Sequence, residues 1–458
     1  VAPCPTQEAV EPIAGSETPR GRIAVAGLGP AGLFAAWLLA RQGYRPLVIE
    51  RGRPVEERAA DVERFWAGGA LLAESNAMFG EGGAGTFSDG KLTSRSKDPR
   101  ADTVLRVLAE HGAPEEIRYL AKPHIGTDRL RTVVRSLRRQ IESLGGEVRF
   151  SARLDGLAVD GAGALSSILV HGGAAGERIP CAALVLAIGQ GARDTYRMLH
   201  SLGVAMEPKP FAVGVRVEHP QPLIDRAQFG ALAGDPRLGA AEYRLTARAQ
   251  DRGVYTFCMC PGGYVVGAAS ETGSVVTNGM SEYARDGQNS NAALLVGITP
   301  EDFGFAHPLA GIEFQRKIER AAFEAGGGAY SAPCQRVGDL LENRATTALN
   351  GSVQPTYRPG VVPGDLRAVL PDYICDSMAE GIRRMGRRLR GFDDPDALLT
   401  APETRSSSPV RILRNETREC PTVRGLFPCG EGAGYAGGIT SAAVDGLRCA
   451  EEILKQSL

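Results

Sequence analysis

The sequence predicts an α/β fold in which one domain is built from both chain ends and a second domain is inserted between them. Three observations carry this. From Arg22 to Glu50 a short apolar strand, a glycine turn, an apolar helix and a second strand follow in order. After about Pro208 the texture changes to alternating, sheet-like runs separated by polar loops. From Leu426 the chain returns to strand, glycine loop and helix. A length of 458 residues leaves room for two or three domains.

The elements are read in chain order. Residues 1–21 are rich in Pro, Glu, Ser and Thr without periodicity and are expected to form a disordered tail. Ile23–Ala26 is a buried strand, Pro30–Gln42 a helix, and Pro46–Glu50 a strand. Gly68–Arg95 is a glycine- and serine-rich loop region. Asp128 is placed as the cap of a helix carrying Leu130, Val133, Val134, Leu137, Ile141 and Leu144, stopped by Gly145-Gly146. Glu147–Phe150, Ser167–Val170 and Leu184–Ile188 are strands, then Phe211–Glu218 and Gly263–Ala269. Ala379–Leu389 is a helix, and Thr440–Ile453 the last one. The domain bounds are 22–207 and 405–458 for the two-part domain and 208–404 for the insert.

Composition removes several classes. Fifty-two Lys and Arg balance 53 Asp and Glu, giving a net charge of −1, which argues against a nucleic-acid binder. The longest apolar runs, Ala31–Ala40 and Ala182–Ile188, are far short of a membrane span. Nine cysteines without a framework point to a reducing cytoplasm. Gly is the outlier at 58 residues.

Three glycine-rich stretches carry chemistry. In Gly27-Leu28-Gly29-Pro30-Ala31-Gly32 the turn follows a strand and opens a helix, and Glu50 closes the next strand about 20 residues on. Gly27 permits the turn, Gly29 lets the backbone approach a pyrophosphate, and Gly32 lets helix and strand lie close. The free N–H groups of the helix start face the phosphates, and Glu50 accepts from ribose hydroxyls. The second stretch, Phe79–Leu92, presents N–H groups and small hydroxyls, and Gly82, Gly83 and Thr86 lie in it. The third, Leu426–Ile439, leads into an Ala-rich helix whose N-terminus can meet the same ligand.

With these motifs the chain resembles two-dinucleotide-fold flavoproteins. More narrowly it resembles a family of FAD-dependent dehydrogenases of mostly unassigned substrate. The stretches concerned are FGEGGAGTFSDGKL from Phe79, KPHIGTDRL from Lys122, LAIGQGARDTYRMLH from Leu186, KPFAVGVRVEHPQ from Lys209, FCMCPGGYVV from Phe257 and CGEGAGYAGGITSAAVDG from Cys429. More distantly it is similar to geranylgeranyl reductases and aromatic hydroxylases. The resemblance implies a Rossmann-like FAD-binding domain with an inserted α+β substrate domain. It implies that Gly27, Gly29, Pro30, Ala31 and Gly32 hold the FAD pyrophosphate, and that Glu50 and Arg51 lie at the ribose. Gly82, Gly83 and Thr86 would line the flavin or ribityl chain, and Gly189 the adenine side. Gly430 and Glu431 would hold the ribityl chain or the pyrophosphate region, and Gly437, Gly438 and Ile439 the pyrimidine edge of the flavin.

The activity expected is hydride transfer between flavin N5 and a small organic substrate, with NAD(P)H as a transient electron donor. The alternatives are a flavin-dependent monooxygenase and a non-catalytic FAD-binding redox sensor. Lys91, His307 and Tyr435 are candidate proton donors, chosen as polar groups in or near the loops. Cys258 and Cys260 share a strand face and are read as two small buried residues entering a turn, with a thiolate role as the rival reading. No Cys/His spacing suggests a metal. Arg383, Arg384, Arg387 and Arg388 read as a solvated basic helix face.

Overall fold

The computed structural model describes residues 21–94, 97–172, 176–304 and 307–456. The expected disordered tail therefore lies outside the described residues, apart from Gly21. No helix among those described is long and apolar enough to cross a membrane.

The chain ends meet in one five-stranded parallel sheet, ordered Leu426–Pro428, Ala183–Leu186, Ile23–Ala26, Leu47–Ile49, Glu147–Arg149. Its central strands are apolar and fully buried because both faces are covered. Helices Pro30–Arg41, Arg100–Glu110, Thr127–Ser143 and Ile439–Lys455 pack on one face. A three-stranded antiparallel sheet, Arg153–Val159, Leu165–His171 and Gly176–Pro180, contributes to the core on the other. The first and last helices touch closely because Gly446 has no side chain: a Cβ there would lie 2.1 Å from the Ala31 carbonyl oxygen. This is the Rossmann-like, two-ended domain that the sequence predicts.

The inserted region holds a seven-stranded, mostly antiparallel sheet. Its order is Thr246–Ala249, Arg252–Cys260, Asn289–Ile298, Phe211–Pro220, Leu398–Glu403, Ala332–Arg336, Val361–Pro363. Along Phe211–Pro220 the side chains alternate between faces. Val213, Val215 and Val217 enter a core shared with Ile374, Met378, Ile382 and Met385 of helix Asp372–Gly386. The alternate positions carry Arg216 and Glu218, both fully buried. A ribbon of Tyr264–Gly267 and Thr277–Met280 lies against this polar face.

Local expectations need correcting at two helices. Gly126, not Asp128, precedes the helix Thr127–Ser143. Gly126 adopts φ +82°, and a Cβ there would meet the Tyr283 nitrogen at 2.3 Å, so only glycine fits; Asp128 instead accepts the Tyr283 N–H at 2.9 Å. The helix expected from Ala379 begins at Asp372, just after Pro371, and ends at Gly386. Arg387 and Arg388 fall just beyond it, but Arg387 keeps helical φ and ψ and all four arginines are exposed, so the solvated basic face expected here stands. Arg383 donates to the Leu341 carbonyl, Arg388 to that of Thr246, and Arg384 pairs with Glu380.

Candidate functional site

The carboxyl ends of the parallel strands open into a cavity of about 370 Å³, within the usual range of small-molecule sites. One wall comes from the parallel sheet's loops: Gly27, Gly29, Pro30, Ala31, Glu50, Arg51, Gly83, Gly189, Glu431, Gly437, Gly438 and Ile439. The facing wall comes from the insert and its exit, with Phe257, Cys258, Thr277, Asn278, Glu403 and Arg405.

The glycines of the first wall fall into two kinds. Gly27 and Gly32 are required by the protein itself. A Cβ on Gly27, at φ +99°, would lie 2.3 Å from the Ala187 oxygen, and one on Gly32 would lie 1.8 Å from the Gly27 oxygen. Gly29, Gly189, Gly437 and Gly438 are different. A Cβ on Gly189 or Gly437 would meet nothing within 4 Å, one on Gly438 only the Ser441 hydroxyl at 3.9 Å, and one on Gly29 only Gly83 at 3.7 Å. Those four surround space that the protein leaves open. Gly438 is also extended, at φ 170°, so its conformation does not demand glycine.

Two helix N-termini end at this space, those of Pro30–Arg41 and Ile439–Lys455. Their unsatisfied N–H groups and partial positive charge suit anionic oxygens. Glu50 is 5% exposed, and its carboxylate accepts N–H bonds from Leu28 at 2.8 Å, Gly52 at 2.9 Å and Gly80 at 3.0 Å. It thus ties the first glycine turn to the second before any ligand arrives. Arg51 is held by Glu74 and Asp194 and lies 4.0 Å over the Phe79 ring.

Gly82, Thr86 and Gly430 stand behind the wall. Gly82 donates its N–H to the Leu28 carbonyl, Thr86 is fully buried and its hydroxyl donates to the Glu81 carbonyl, and Gly430 donates to Asp445. Sequence reasoning overlooked Arg58, which shapes this loop from beneath. It is fully buried and donates to the carbonyls of Asn76, Glu81 and Gly83.

Of the candidate proton donors, only Lys91 lines the cavity. Its ammonium donates to the Met259 carbonyl and lies 3.7 Å from Asp89. His307 lies in a separate depression beside His200, ring centroids 4.6 Å apart. Tyr435 packs beneath Arg414, whose guanidinium carbon is 3.7 Å from its ring centre, and is absent from the cavity lining. Glu431 does line it. Burial pushes the Glu431 carboxyl up to about 7, against the pull of Lys209, and Gln190 donates to it at 2.7 Å.

The facing wall rests on a buried ion network. Arg216, fully buried, pairs with Glu403 at 2.9 Å and donates to Cys258, Asn291 and Asn278. Burial raises the Glu403 carboxyl, while Arg216 opposes that rise. Behind it Arg193 and Arg405 share Glu319, and these two guanidinium groups overcome burial to hold the Glu319 carboxyl down at about 2. Nothing local in the sequence announces these pairs: Arg216 and Glu403 are far apart in the chain. Cys429, Asp445 and Cys449 also converge. Asp445 is already engaged by Arg414, Arg418 and the Gly430 N–H.

The chain is 52% identical over 444 residues to an uncharacterized protein of Clostridium beijerinckii, covering 96% of this chain and 82% of that one. Residues 210–406 match the family described as FAD-dependent protein, C-terminal domain-like. The chain belongs to this family of FAD-dependent proteins. Its cofactor is FAD. The cavity fits that group: a Cβ at Gly189 or Gly437 would occupy room left by the protein, and two helix starts face it.

Among solved structures, the chain is similar to a flavin-dependent brominase triple mutant, with 12% identity, coverage of 95% and 80% of the two chains, and a TM-score of 0.42. It is also similar to a geranylgeranyl bacteriochlorophyll reductase-like protein of Thermoplasma acidophilum, with 13% identity, coverage of 94% and 78%, and a TM-score of 0.39. An anhydrotetracycline hydroxylase of Streptomyces rimosus has 17% identity and a TM-score of 0.31. That match covers 64% of this chain and about half of the hydroxylase, 48%.

Proposed function

We propose that the protein is an FAD-dependent oxidoreductase that passes a hydride between a small organic substrate and flavin N5, with residues 208–404 supplying the substrate wall. The observation that carries this reading is the shared cavity. Loops of the parallel sheet and side chains of the insert line one space, so a cofactor held by the first lies against the second. When bound, FAD supplies the two-electron chemistry.

The chain's own residues divide the remaining work. The turn Gly27–Gly32 and the helix from Pro30 take the pyrophosphate, while Glu50 and Arg51 border the adenosine half. Gly437, Gly438 and Ile439 bring a helix N-terminus to the flavin's pyrimidine edge, where positive potential favours the anionic reduced form. Glu431, with its raised carboxyl, holds a proton near neutral pH beside Gln190. Lys91 and Asn278 offer polar contacts to a substrate, and Phe257 an apolar one. A nicotinamide reaching the same face would act as a transient donor.

The test is anaerobic reduction of the FAD-loaded protein. NADH, NADPH and a panel of alcohols, hydroxy acids and unsaturated carbonyl compounds are each added while visible absorbance is followed. Bleaching that slows with a deuterated hydride source supports the proposal. Bleaching by none of them, or hydroxylated product with oxygen consumption when the same additions are made in air, overturns it.

A further inference from the structure

Cys258 lies in the facing wall of the cavity in an unusual backbone setting. Strand Arg252–Cys260 pairs regularly with Asn289–Ile298 as far as Phe257↔Ala293, then resumes at Cys260↔Asn291. One extra residue is accommodated, and Cys258 adopts φ +42°, the left-handed region that residues other than glycine rarely enter. The bulge breaks the even strand spacing expected here, and the chain enters a turn at Pro261 as expected. Two groups hold the bulge. Arg216 donates to the Cys258 carbonyl at 2.9 Å, and the Cys260 thiol lies 3.3 Å from the same oxygen. Cys260 is fully buried, whereas Cys258 is half-buried and lines the cavity.

A second, independent feature lies on the same wall. Thr277 lines the cavity and is 1% exposed, yet its hydroxyl has no hydrogen-bond partner among the described residues. Buried hydroxyls are normally satisfied, so this one has bonding capacity left for a ligand oxygen or a water. Its neighbour Asn278 is engaged with Arg216 at 2.8 Å.

We propose that Cys258 is a nucleophilic sulfur site opening on the cavity, and that with the Thr277 hydroxyl it takes α,β-unsaturated carbonyl compounds. The sulfur lone pair forms a bond to the β-carbon, and the alkene pair moves towards the carbonyl oxygen, which Thr277 can meet. The α-carbon then takes a proton from water. Nothing is oxidised or reduced, and FAD takes no part.

The electrostatics agree with the geometry. The groups facing Cys258 are Cys260 on its own strand, Arg216 on Phe211–Pro220, Lys91 and Asp89 on the second glycine stretch, Glu403 on Leu398–Glu403, and Glu431 on the C-terminal loop. The close contact with the Cys260 thiol draws the Cys258 thiol below its ordinary range. Arg216 and Lys91 help, while burial and Asp89 oppose. The thiolate fraction at neutral pH is thereby raised over that of an ordinary thiol near 8.5, which is mostly protonated.

The experiment uses the full chain loaded with FAD. It is pulsed with N-ethylmaleimide, an unsaturated carbonyl probe, and in parallel with the smaller iodoacetamide, across about pH 5 to 9. Peptide mass spectrometry reads each cysteine. Cys258 is expected to label ahead of Cys181, Cys334, Cys375 and Cys420, with a midpoint at lower pH than an ordinary thiol's. Cys260→Ala should move that midpoint upward, while Cys260→Ser keeps it low. Thr277→Val should slow maleimide addition several-fold more than iodoacetamide alkylation, without moving the midpoint. Failure of both probes to label Cys258, or a midpoint near that of an ordinary thiol, overturns the proposal. Labelling does not depend on turnover, so this outcome is separate from that of the hydride-transfer test.

Discussion

The two walls of the cavity are built on opposite principles. On the parallel-sheet side the surface is mostly backbone: glycines, two helix starts and a carboxylate spent on three N–H groups. On the insert side it is ionic and polar side chains, held by partners distant in sequence. The first wall can tolerate small changes where its glycines face open space. The second cannot lose one member without stranding another. Shape is therefore cheap to alter on the cofactor side, while charge is costly to alter on the insert side.

That contrast can be tested from its largest consequence down. Arg216→Met would leave Glu403 buried without its cation. Stability should fall by about 3–5 kcal/mol, read by urea unfolding. A loss below about 1 kcal/mol would mean that the wall is not held together electrostatically.

Acid should act next, through Glu319. Its folded carboxyl titrates near 2, below its ordinary 4.5. A depressed carboxylate contributes stability that is fully present above 4.5 and is lost as pH falls through 2. The contribution is about 3 kcal/mol. Glu319→Gln should flatten the fall in unfolding free energy between those values; an unchanged profile would show that Arg193 and Arg405 do not hold it down.

The glycine contrast predicts a split. Gly32→Ala should cost the apo fold about 2 kcal/mol or more, because its Cβ meets the Gly27 oxygen. Gly437→Ala and Gly438→Ala should leave apo stability within about 0.5 kcal/mol and weaken FAD retention instead. Released flavin and thermal unfolding of the stripped protein separate the two effects. Equal losses of stability at Gly32 and Gly438 would erase the distinction between the two kinds of glycine.

The smallest effect belongs to Glu431. Its raised carboxyl is neutral below about 7 and becomes an anion above it. The flavin spectrum should shift several-fold less with pH in Glu431→Gln than in the parent, with the parent midpoint near 7. His307→Ala and Tyr435→Phe, both away from the cavity, should leave spectrum and flavin content unchanged.

How much of this was legible follows the same division. The first glycine turn, its helix and Glu50 are contiguous, and their geometry is local, so sequence reasoning placed Gly27, Gly29, Pro30, Ala31 and Glu50 together. The C-terminal loop was legible for the same reason. What failed was anything set by contact across the chain. Gly438 is extended, and its freedom from neighbours appears only in three dimensions. Asp128 has good capping chemistry, yet Tyr283 claims it from another region. Arg216 looked like one polar residue in an alternating strand. Its partners Glu403, Asn278 and Asn291 come from three separate segments.

The parallel sheet also has a history in time. Strand Leu426–Pro428 pairs with Ala183–Leu186, but about 240 residues separate them in the chain. At ribosomal speeds of about 5–20 residues per second, the earlier strand waits roughly 12–48 s for its neighbour. Through that interval Ala183–Leu186, an apolar strand, has an open edge of unpaired N–H and carbonyl groups. The nascent chain is thus exposed to aggregation while the insert is being made, and the cavity's lining is complete only when synthesis has passed Ile439.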